Sequence, residues 1–112
     1  MNEINIIGRL VKDIEPKQDE NSTTIILAVN RHYKNEDGIY ETDFIDIELR
    51  ENLAKYVGMY CFKGDIIAVR GRLETYNTLS EDGTKTKRSK VVAEKVTFIS
   101  STRNTSISEE EA

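Results

Sequence analysis

The chain has 112 residues, of which 38% are hydrophobic and 32% are charged, which is typical of one globular domain and argues against a wholly disordered chain. No apolar run is long enough to cross a bilayer as a helix, and Met1-Asn2-Glu3 does not open a secretory signal. The single cysteine, Cys61, excludes an internal disulfide and favours a cytoplasmic location. The formal net charge of −4, from 16 Lys and Arg against 20 Asp and Glu, weighs against a phosphate-rich ligand, which needs a basic surface.

The first half of the chain predicts three strands. Residues 3–12 alternate apolar and polar side chains, and Gly8 interrupts them, which predicts a strand with a bulge or sharp bend at the glycine. Residues 13–22 hold the only proline and predict a loop. A β-branched run over residues 23–34 and an alternating run over residues 39–49 predict the second and third strands, joined by a hairpin turn at an Asp-Gly pair.

The second half predicts a helix and two further strands. Apolar residues recur at helical spacing over residues 53–60, which predicts a short helix that ends by Gly64. Residues 65–77, again with a central glycine, and residues 86–100 predict the fourth and fifth strands, with a second Asp-Gly turn between them. Residues 101–112 are small, polar and acidic, and predict a disordered tail.

Three strands, one helix and two strands predict an all-β fold with one short helix. The architecture with this order is the five-stranded Greek-key barrel called the OB-fold, with its helix between strands 3 and 4. Glycines in the middle of strands permit the coiling that closes a small barrel. We therefore predict an OB-fold domain over residues 1–100, followed by the tail over residues 101–112. The fold by itself indicates no function.

Several strings, in this order and at this spacing, resemble the bacterial single-stranded DNA-binding protein family. They are Ile7-Gly8-Arg9-Leu10, Leu27-Ala28-Val29-Asn30-Arg31, Thr42-Asp43-Phe44-Ile45 and Val69-Arg70-Gly71-Arg72-Leu73. The resemblance runs from Met1 to about Ser100. It implies a nucleoid-associated protein that binds single-stranded DNA (ssDNA) with little sequence preference and protects it in replication, recombination and repair. It also implies a homotetramer, and neither a cofactor nor enzymatic activity.

Binding ssDNA without reading its sequence needs aromatic faces on which bases stack and cations that contact phosphates. The resemblance places the stacking positions at Tyr33, Phe44, Arg50 and Thr78, so two of the four keep an aromatic residue. The guanidinium of Arg50 can still stack on a base and contact a phosphate. Tyr76 lies two residues before Thr78, on the same strand face, and can serve in its place.

Two groups of cations complete the predicted interface. The strand cations are Arg9, Lys12, Arg31, Arg50, Arg70 and Arg72. The hairpin cations are Lys85, Lys87, Arg88 and Lys90. They lie on the predicted connection between strands 4 and 5, which flanks the binding groove of OB-folds. The alternative for each cation is an ordinary solvated side chain. The alternative for Phe44 is a ring that packs under a loop or in a subunit interface, and the alternative for Tyr33 is a tyrosine at the rim of the barrel with its hydroxyl in water.

The remaining reactive and aromatic residues predict structure rather than chemistry. One histidine, His32, and one cysteine do not make a metal site of usual spacing. Tyr56, Tyr60 and Phe62 lie on or after the helix stripe, where core packing is expected. No phosphate-binding loop, nucleophile elbow or metal motif is present in the sequence.

Two other functions stay open. The first is a primosome-type protein–protein adaptor on the same fold with weak DNA binding, which the negative charge and the two lost stacking aromatics favour. The second is an OB-fold enzyme or an oligosaccharide binder, which needs a polar pocket that the sequence does not indicate. A dimer also stays open beside the homotetramer, in which the resemblance implies subunit contacts at Ile4 and Ile6.

The C-terminal segment departs from the family pattern. It ends Glu109-Glu110-Glu111-Ala112, without the long linker and the hydrophobic acidic tip of longer family members. Those members recruit replication and repair proteins through that tip, so recruitment of such partners by this chain stays open. No membrane partner is expected.

Overall fold

The computed structural model describes residues 1–14 and 22–101. It contains five strands and one helix, which are β1 (Ile4–Leu10), β2 (Ser22–Lys34), β3 (Tyr40–Arg50), α1 (Glu51–Tyr60), β4 (Ile66–Leu79) and β5 (Lys85–Ser100). The strands form a closed barrel in the order β1-β2-β3-β5-β4. This order, with α1 between β3 and β4, confirms the predicted OB-fold. Most of the loop predicted over residues 13–22, and the predicted tail beyond Ser101, lie outside the described residues.

Two long antiparallel hairpins supply most of the barrel. β2 pairs with β3 from Ser22↔Arg50 to Lys34↔Tyr40, and β4 pairs with β5 from Ile66↔Ser100 to Leu79↔Lys85. The barrel closes through a short parallel contact between β3 and β5, at Ile47↔Val91 and Glu48↔Val92. The far parts of both hairpins therefore extend beyond the closed barrel, and their outward faces are available to a ligand.

The core follows from the alternation of side chains along the strands. On β3, Ile47 and Leu49 are fully buried, whereas Phe44 on the opposite face is exposed. The other fully buried aliphatic side chains come from every element, and they are Leu10, Ile25, Leu27, Val57, Ile67, Val69 and Val92. Burial of each such side chain stabilises the fold by roughly 1.5–3 kcal/mol. The predicted faces of the third strand are confirmed.

The two mid-strand glycines have different roles. The register between β4 and β5 shifts at Arg70/Gly71, so that Glu94 of β5 is an extra residue, an irregularity that the sequence analysis does not predict. At Gly8 the predicted bulge is wrong, because β1 pairs with β4 without a shift from Ile4 to Arg9, and the alternative of a sharp bend stays a prediction. Glycine is needed there because a Cβ atom would lie 2.9 Å from the carbonyl oxygen of Ala28 on β2.

The helix forms as predicted, but its aromatic side chains do not join the core. α1 ends at Tyr60, before Gly64, and Val57 is its only fully buried residue. Tyr56, Tyr60 and Phe62 are exposed, so the prediction that they pack in the core is wrong. The physical reason is that α1 contacts β2, β3 and β5 only lightly, and the rings of Tyr56 and Tyr60 pack on each other with centroids 5.0 Å apart.

Candidate nucleic-acid interface

A groove of about 620 Å³ runs along the outer surface of the barrel between β3, β4 and β5. We call it the β3–β5 groove. Phe44 of β3, Tyr76 of β4 and Lys90 of β5 all line it. Three residues that the sequence places 14 to 46 positions apart are thus brought together by the closure of the barrel.

Phe44 lies in the groove because β3 alternates. Its neighbours Ile45 and Ile47 face inward, so Phe44 faces outward and is 66% exposed. Tyr76 is 40% exposed and pairs across β4 and β5 with Arg88. Two separate elements therefore present aromatic rings to one groove, as the sequence predicts for base stacking.

Lys90 contacts both an aromatic ring and a carboxylate. Its Nζ lies 5.2 Å from the centroid of the Tyr76 ring, within the range of a cation–π contact. The same Nζ lies 3.5 Å from Oε1 of Glu48, which also lines the groove. The ammonium group of Lys90 is therefore held at the groove wall beside the ring of Tyr76.

The third predicted stacking residue, Tyr33, lies elsewhere. It stands near the end of β2, is exposed, and makes an edge-to-face contact with His32 at 5.5 Å between ring centroids. It does not line the β3–β5 groove. Thr78 of β4 donates a hydrogen bond to the carbonyl of Thr86 at 3.4 Å, and it does not line the groove either.

Several of the predicted phosphate-binding cations are paired with carboxylates. A continuous set of ion pairs, here called the ion-pair network, joins β3, β4 and β5, and its members in order of contact are Lys90, Glu48, Arg50, Glu74, Arg72 and Glu94. Arg50 Nε lies 2.6 Å from Glu48 Oε2, and Arg50 Nη2 lies 3.1 Å from Glu74 Oε1. Each cation of the network thus already has a negatively charged partner.

Glu74 is the central member of this network because it binds two arginines. Its Oε2 accepts from Arg72 Nη2 at 2.5 Å, and its Oε1 accepts from Arg50. The hydrogen bond from Arg50, followed by that from Arg72, lowers the pKa of Glu74. The same contact with Glu74 raises the pKa of Arg50. Both groups therefore stay charged, and their charges largely cancel.

Arg31 is paired in the same way on the β2–β3 hairpin. Its guanidinium donates to Asp43 Oδ1 at 2.9 Å and to Glu41 Oε2 at 2.5 Å. The hydrogen bond to Asp43 raises the pKa of Arg31 well above its ordinary value, and the same bond lowers the pKa of Asp43. Arg31 is therefore surrounded by two carboxylates in the free protein.

Half of the predicted phosphate-binding cations that have no ion pair lie on the β4–β5 hairpin. Within residues 1–14 and 22–101, the predicted cations without an ion pair are Arg9, Lys12, Arg70, Lys85, Lys87 and Arg88. Arg9 donates to the carbonyl of Gly64 at 2.8 Å, and Arg70 lies in a smaller groove beside Lys95. Arg88 pairs with Tyr76 across the hairpin and shares its face, whereas Lys85 and Lys87 pair with Leu79 and Asn77 and lie on the opposite face.

The tip of this hairpin is built by side-chain hydrogen bonds. Gly83 adopts a φ of 85°, which the predicted Asp-Gly turn requires. Asp82 accepts hydrogen bonds from the Ser80 hydroxyl and from the Thr84 amide, and these lower the pKa of Asp82 to about 2. The tip is thus a fixed turn that presents the basic strands behind it.

The carboxylate partners are the part of the site that sequence reasoning missed. Glu74 stands two residues from both Arg72 and Tyr76, so period-2 alternation places all three on one strand face. That spacing was the available signal for the pair with Arg72. The pairs of Arg50 with Glu74 and of Arg72 with Glu94 depend on strand register, which local spacing does not contain.

Residues 1–14 and 22–101 contain neither a metal-binding cluster nor a membrane-spanning helix. In the part of the chain that the structure describes, no group of three or more His, Cys, Asp and Glu side chains could hold a metal ion. Among the same residues, no helix is long and apolar enough to cross a membrane.

Comparisons with known proteins identify the family and the fold of the chain. Residues 1–99 match the model of the Single-strand binding protein family. The Single-stranded DNA-binding protein 1 of Streptococcus pyogenes is 34% identical over 94% of this chain and 83% of its own length. A Single-stranded DNA-binding protein of Bacillus cereus is 37% identical over 88% of this chain, which spans 60% of that longer relative. A solved structure described as Plasmodium falciparum SSB complex with ssDNA matches the fold with a TM-score of 0.70 at 22% identity, over 89% of this chain and 96% of its own.

The chain forms a closed OB barrel with aromatic rings in an outer groove and a basic hairpin beside it. These features are typical of OB-fold proteins that bind oligonucleotides. Within that class, this chain belongs to the single-strand binding protein family. The resemblance inferred from the four sequence strings is therefore confirmed. Membership also agrees with the prediction that the protein is not an enzyme.

Proposed function

We propose that this chain binds single-stranded DNA without sequence preference, and that the β3–β5 groove and the β4–β5 hairpin form the interface. In this function it covers exposed strands during DNA replication, recombination and repair, at the nucleoid in the cytoplasm. Membership of the single-strand binding protein family supports the ligand. The position of Phe44 supports the place where the ligand binds.

The exposure of Phe44 is the observation that carries the site. A buried Phe side chain stabilises a fold by roughly 1.5–3 kcal/mol, and this ring, at 66% exposure, contributes little of that. A nucleobase stacked on an exposed aromatic ring contributes roughly 1–3 kcal/mol to binding. Every base has a flat face, so stacking on Phe44 and Tyr76 does not discriminate between sequences.

The hairpin cations supply the contacts to phosphates. Lys85, Lys87 and Arg88 have no ion pair within the described residues. Arg88 offers a DNA strand positive charge on the face of Tyr76, and Lys85 and Lys87 add positive charge on the other face of the hairpin. Neutralising a phosphate with such a cation releases a condensed counterion, which favours binding at low salt. This local basic surface offsets the overall charge of −4. Arg9 and Arg70 extend the proposed phosphate contacts onto the barrel.

Self-association is part of the proposal. β1 pairs with β4 from Ile4 to Arg9, but it pairs with β2 only at Arg9 and Leu10. Over residues 4–8, one edge of β1 has no partner strand within the described residues. Such an edge is a template for pairing with a second chain, and it supports the homotetramer, or a dimer, of the sequence analysis.

The primosome-type adaptor is the less favoured function. The pairing of Arg31, Arg50 and Arg72 with carboxylates agrees with weak DNA binding. Exposed aromatic rings occur at protein interfaces as well as in base-stacking sites, so Phe44 and Tyr76 by themselves favour neither function. The family to which the chain belongs supports DNA as the ligand.

The test is a fluorescence-anisotropy titration of labelled oligo-dT at low and at physiological salt, with duplex DNA as competitor. We expect tight binding at low salt, little competition by duplex, and an affinity that falls with salt by about 0.7 log units per log unit of salt for each phosphate contacted. Absence of binding at low salt, or equal competition by duplex, would contradict the proposal.

A further inference from the structure

The ion-pair network lies where a bound strand is expected to pass. Lys90 and Glu48 line the β3–β5 groove beside Phe44 and Tyr76. Glu74 stands two residues before Tyr76 on the same face of β4, opposite Lys90 of β5. Two members of the network, Lys90 and Glu48, therefore line the groove, and Glu74, Arg50 and Arg72 adjoin it through their contacts with these residues and with each other.

Within the network, carboxylates bind the guanidinium N–H donors of each arginine, which are the same donors that a phosphate would use. Arginine binds carboxylates and phosphates through the same planar set of N–H donors. Arg50 uses Nε and Nη2 for Glu48 and Glu74, and Arg72 uses Nη2 for Glu74. A phosphate that approaches either guanidinium must displace a carboxylate or share the donor with it.

We propose that Glu74 is a built-in competitor of DNA phosphates, which holds Arg50 and Arg72 in the free protein and thereby lowers the affinity for ssDNA. The inference rests on the proposed function of the β3–β5 groove. If an arginine leaves Glu74 for a phosphate, the carboxylate stays close to the strand and repels it. If the arginine stays with Glu74, it contributes no phosphate contact. Both cases reduce the affinity, and the second also reduces the number of counterions released.

Glu74 holds this position better than the other carboxylates of the network. It is the only member that joins two arginines, and its side chain is less exposed than that of Glu94, at 29% against 45%. Glu94 contacts Arg72 alone, at the extra residue of β5. Glu48 shares Arg50 with Glu74 and also holds Lys90. Neutralising Glu74 therefore removes one carboxylate partner from both arginines with one substitution, and leaves Arg50 with Glu48 and Arg72 with Glu94.

Glu74→Gln tests the inference, because the amide keeps the size of the side chain and removes its charge. Glu36→Gln is the matched control: it makes the same change in net charge in the β2–β3 turn, where Glu36 is exposed and forms no ion pair within the described residues. We expect Glu74→Gln to raise the affinity for oligo-dT roughly 3- to 10-fold at low salt, a range set by one or two exposed ion pairs. The control should change the affinity less than about twofold, as expected for a distant charge that salt screens.

The salt dependence separates competition from a general charge effect. Each arginine released to a phosphate should steepen the slope of log affinity against log salt by about 0.7. In a background with both Arg50→Gln and Arg72→Gln, Glu74→Gln should no longer raise the affinity above the control. Glu48→Gln releases Lys90 and leaves Arg50 with Glu74, and it is expected to change the affinity in the same direction.

The outcomes distinguish this inference from the function on which it rests. If wild-type protein binds oligo-dT and Glu74→Gln behaves like Glu36→Gln or weakens binding, Glu74 is not a competitor and the proposed function stands. If Glu74→Gln does not fold, Glu74→Ala is measured in its place, and an affinity no higher than that of the control overturns the inference. If wild-type protein does not bind ssDNA at low salt, both the proposed function and the inference fail.

Discussion

Replacing Gly71 with alanine is expected to destabilise the barrel by about 3 kcal/mol or more, the upper range for overpacking a closed site. A Cβ atom at this position would overlap the carbonyl oxygen of Val92 and would lie 3.0 Å from the Val92 carbonyl carbon and 3.1 Å from Ala93 Cα. These are backbone atoms of the paired strand β5, so no side-chain rotation relieves the contact. Urea unfolding followed by circular dichroism measures the loss.

Gly58→Ala is the matched control for this prediction. Gly58 lies within α1, and among the described residues a Cβ atom there would meet Ile14 Cγ2 alone, at the ordinary contact distance of 3.8 Å. Alanine inside a helix is more favourable than glycine by about 0.5–1 kcal/mol, so this variant should unfold at a higher urea concentration than wild type. A Gly71→Ala protein as stable as wild type would show that β4 and β5 are not packed as closely as described.

Phe44→Ala is expected to weaken ssDNA binding roughly 5- to 100-fold, which corresponds to the loss of one stacked base. The ring is 66% exposed and lies on the outward face of β3, so its removal should leave the folded state nearly as stable as before. The measurement is the oligo-dT titration, together with the thermal unfolding midpoint of the variant.

Phe62→Ala provides the control for that titration. Phe62 is an exposed aromatic residue that follows α1 and does not line the β3–β5 groove. Its removal should leave the ssDNA affinity within about twofold of wild type, since a site that makes no stacking contact contributes little. Unchanged affinity of a folded Phe44→Ala protein would remove Phe44 from the interface.

The order of elements could be predicted because each has a local cause. Alternation along β3 separates Ile47 and Leu49 from Phe44, and glycines at the two hairpin turns supply the positive φ at Gly38 and Gly83. These signals depend on neighbouring residues only, and the structure confirms them. The same alternation by itself predicts that Phe44 lies on the surface.

The packing of the helix could not be predicted in the same way. Helical spacing groups Tyr56, Val57 and Tyr60 on one stripe, but only Val57 is buried. How much of a stripe is covered depends on how closely the helix approaches the barrel, which is a tertiary property. The bulge predicted at Gly8 was wrong for a related reason, because the strand that crowds Gly8 is β2, its neighbour in the barrel.

The pairing of charged side chains at the site could not be predicted either, because it depends on long-range strand register. The sequence identified Arg31, Arg50 and Arg72 as cations for phosphates, and the structure pairs each of them with carboxylates. Arg50 and Glu74 are 24 residues apart, and Arg72 and Glu94 are 22 apart. Their contacts require the closure of the barrel and the extra residue at Glu94, neither of which can be read from local spacing.

Photo-cross-linking with an oligo-dT that carries 5-iodouracil tests the central claim most directly, because this base cross-links preferentially to aromatic side chains stacked on it. The structure exposes aromatic side chains in the β3–β5 groove, on the β2–β3 hairpin at Tyr33, and on α1. We predict that mass spectrometry of the digested complex finds the cross-links at Phe44 and Tyr76. Cross-links concentrated at Tyr56 and Tyr60, with none in the groove, would contradict the account and place the DNA on the helix.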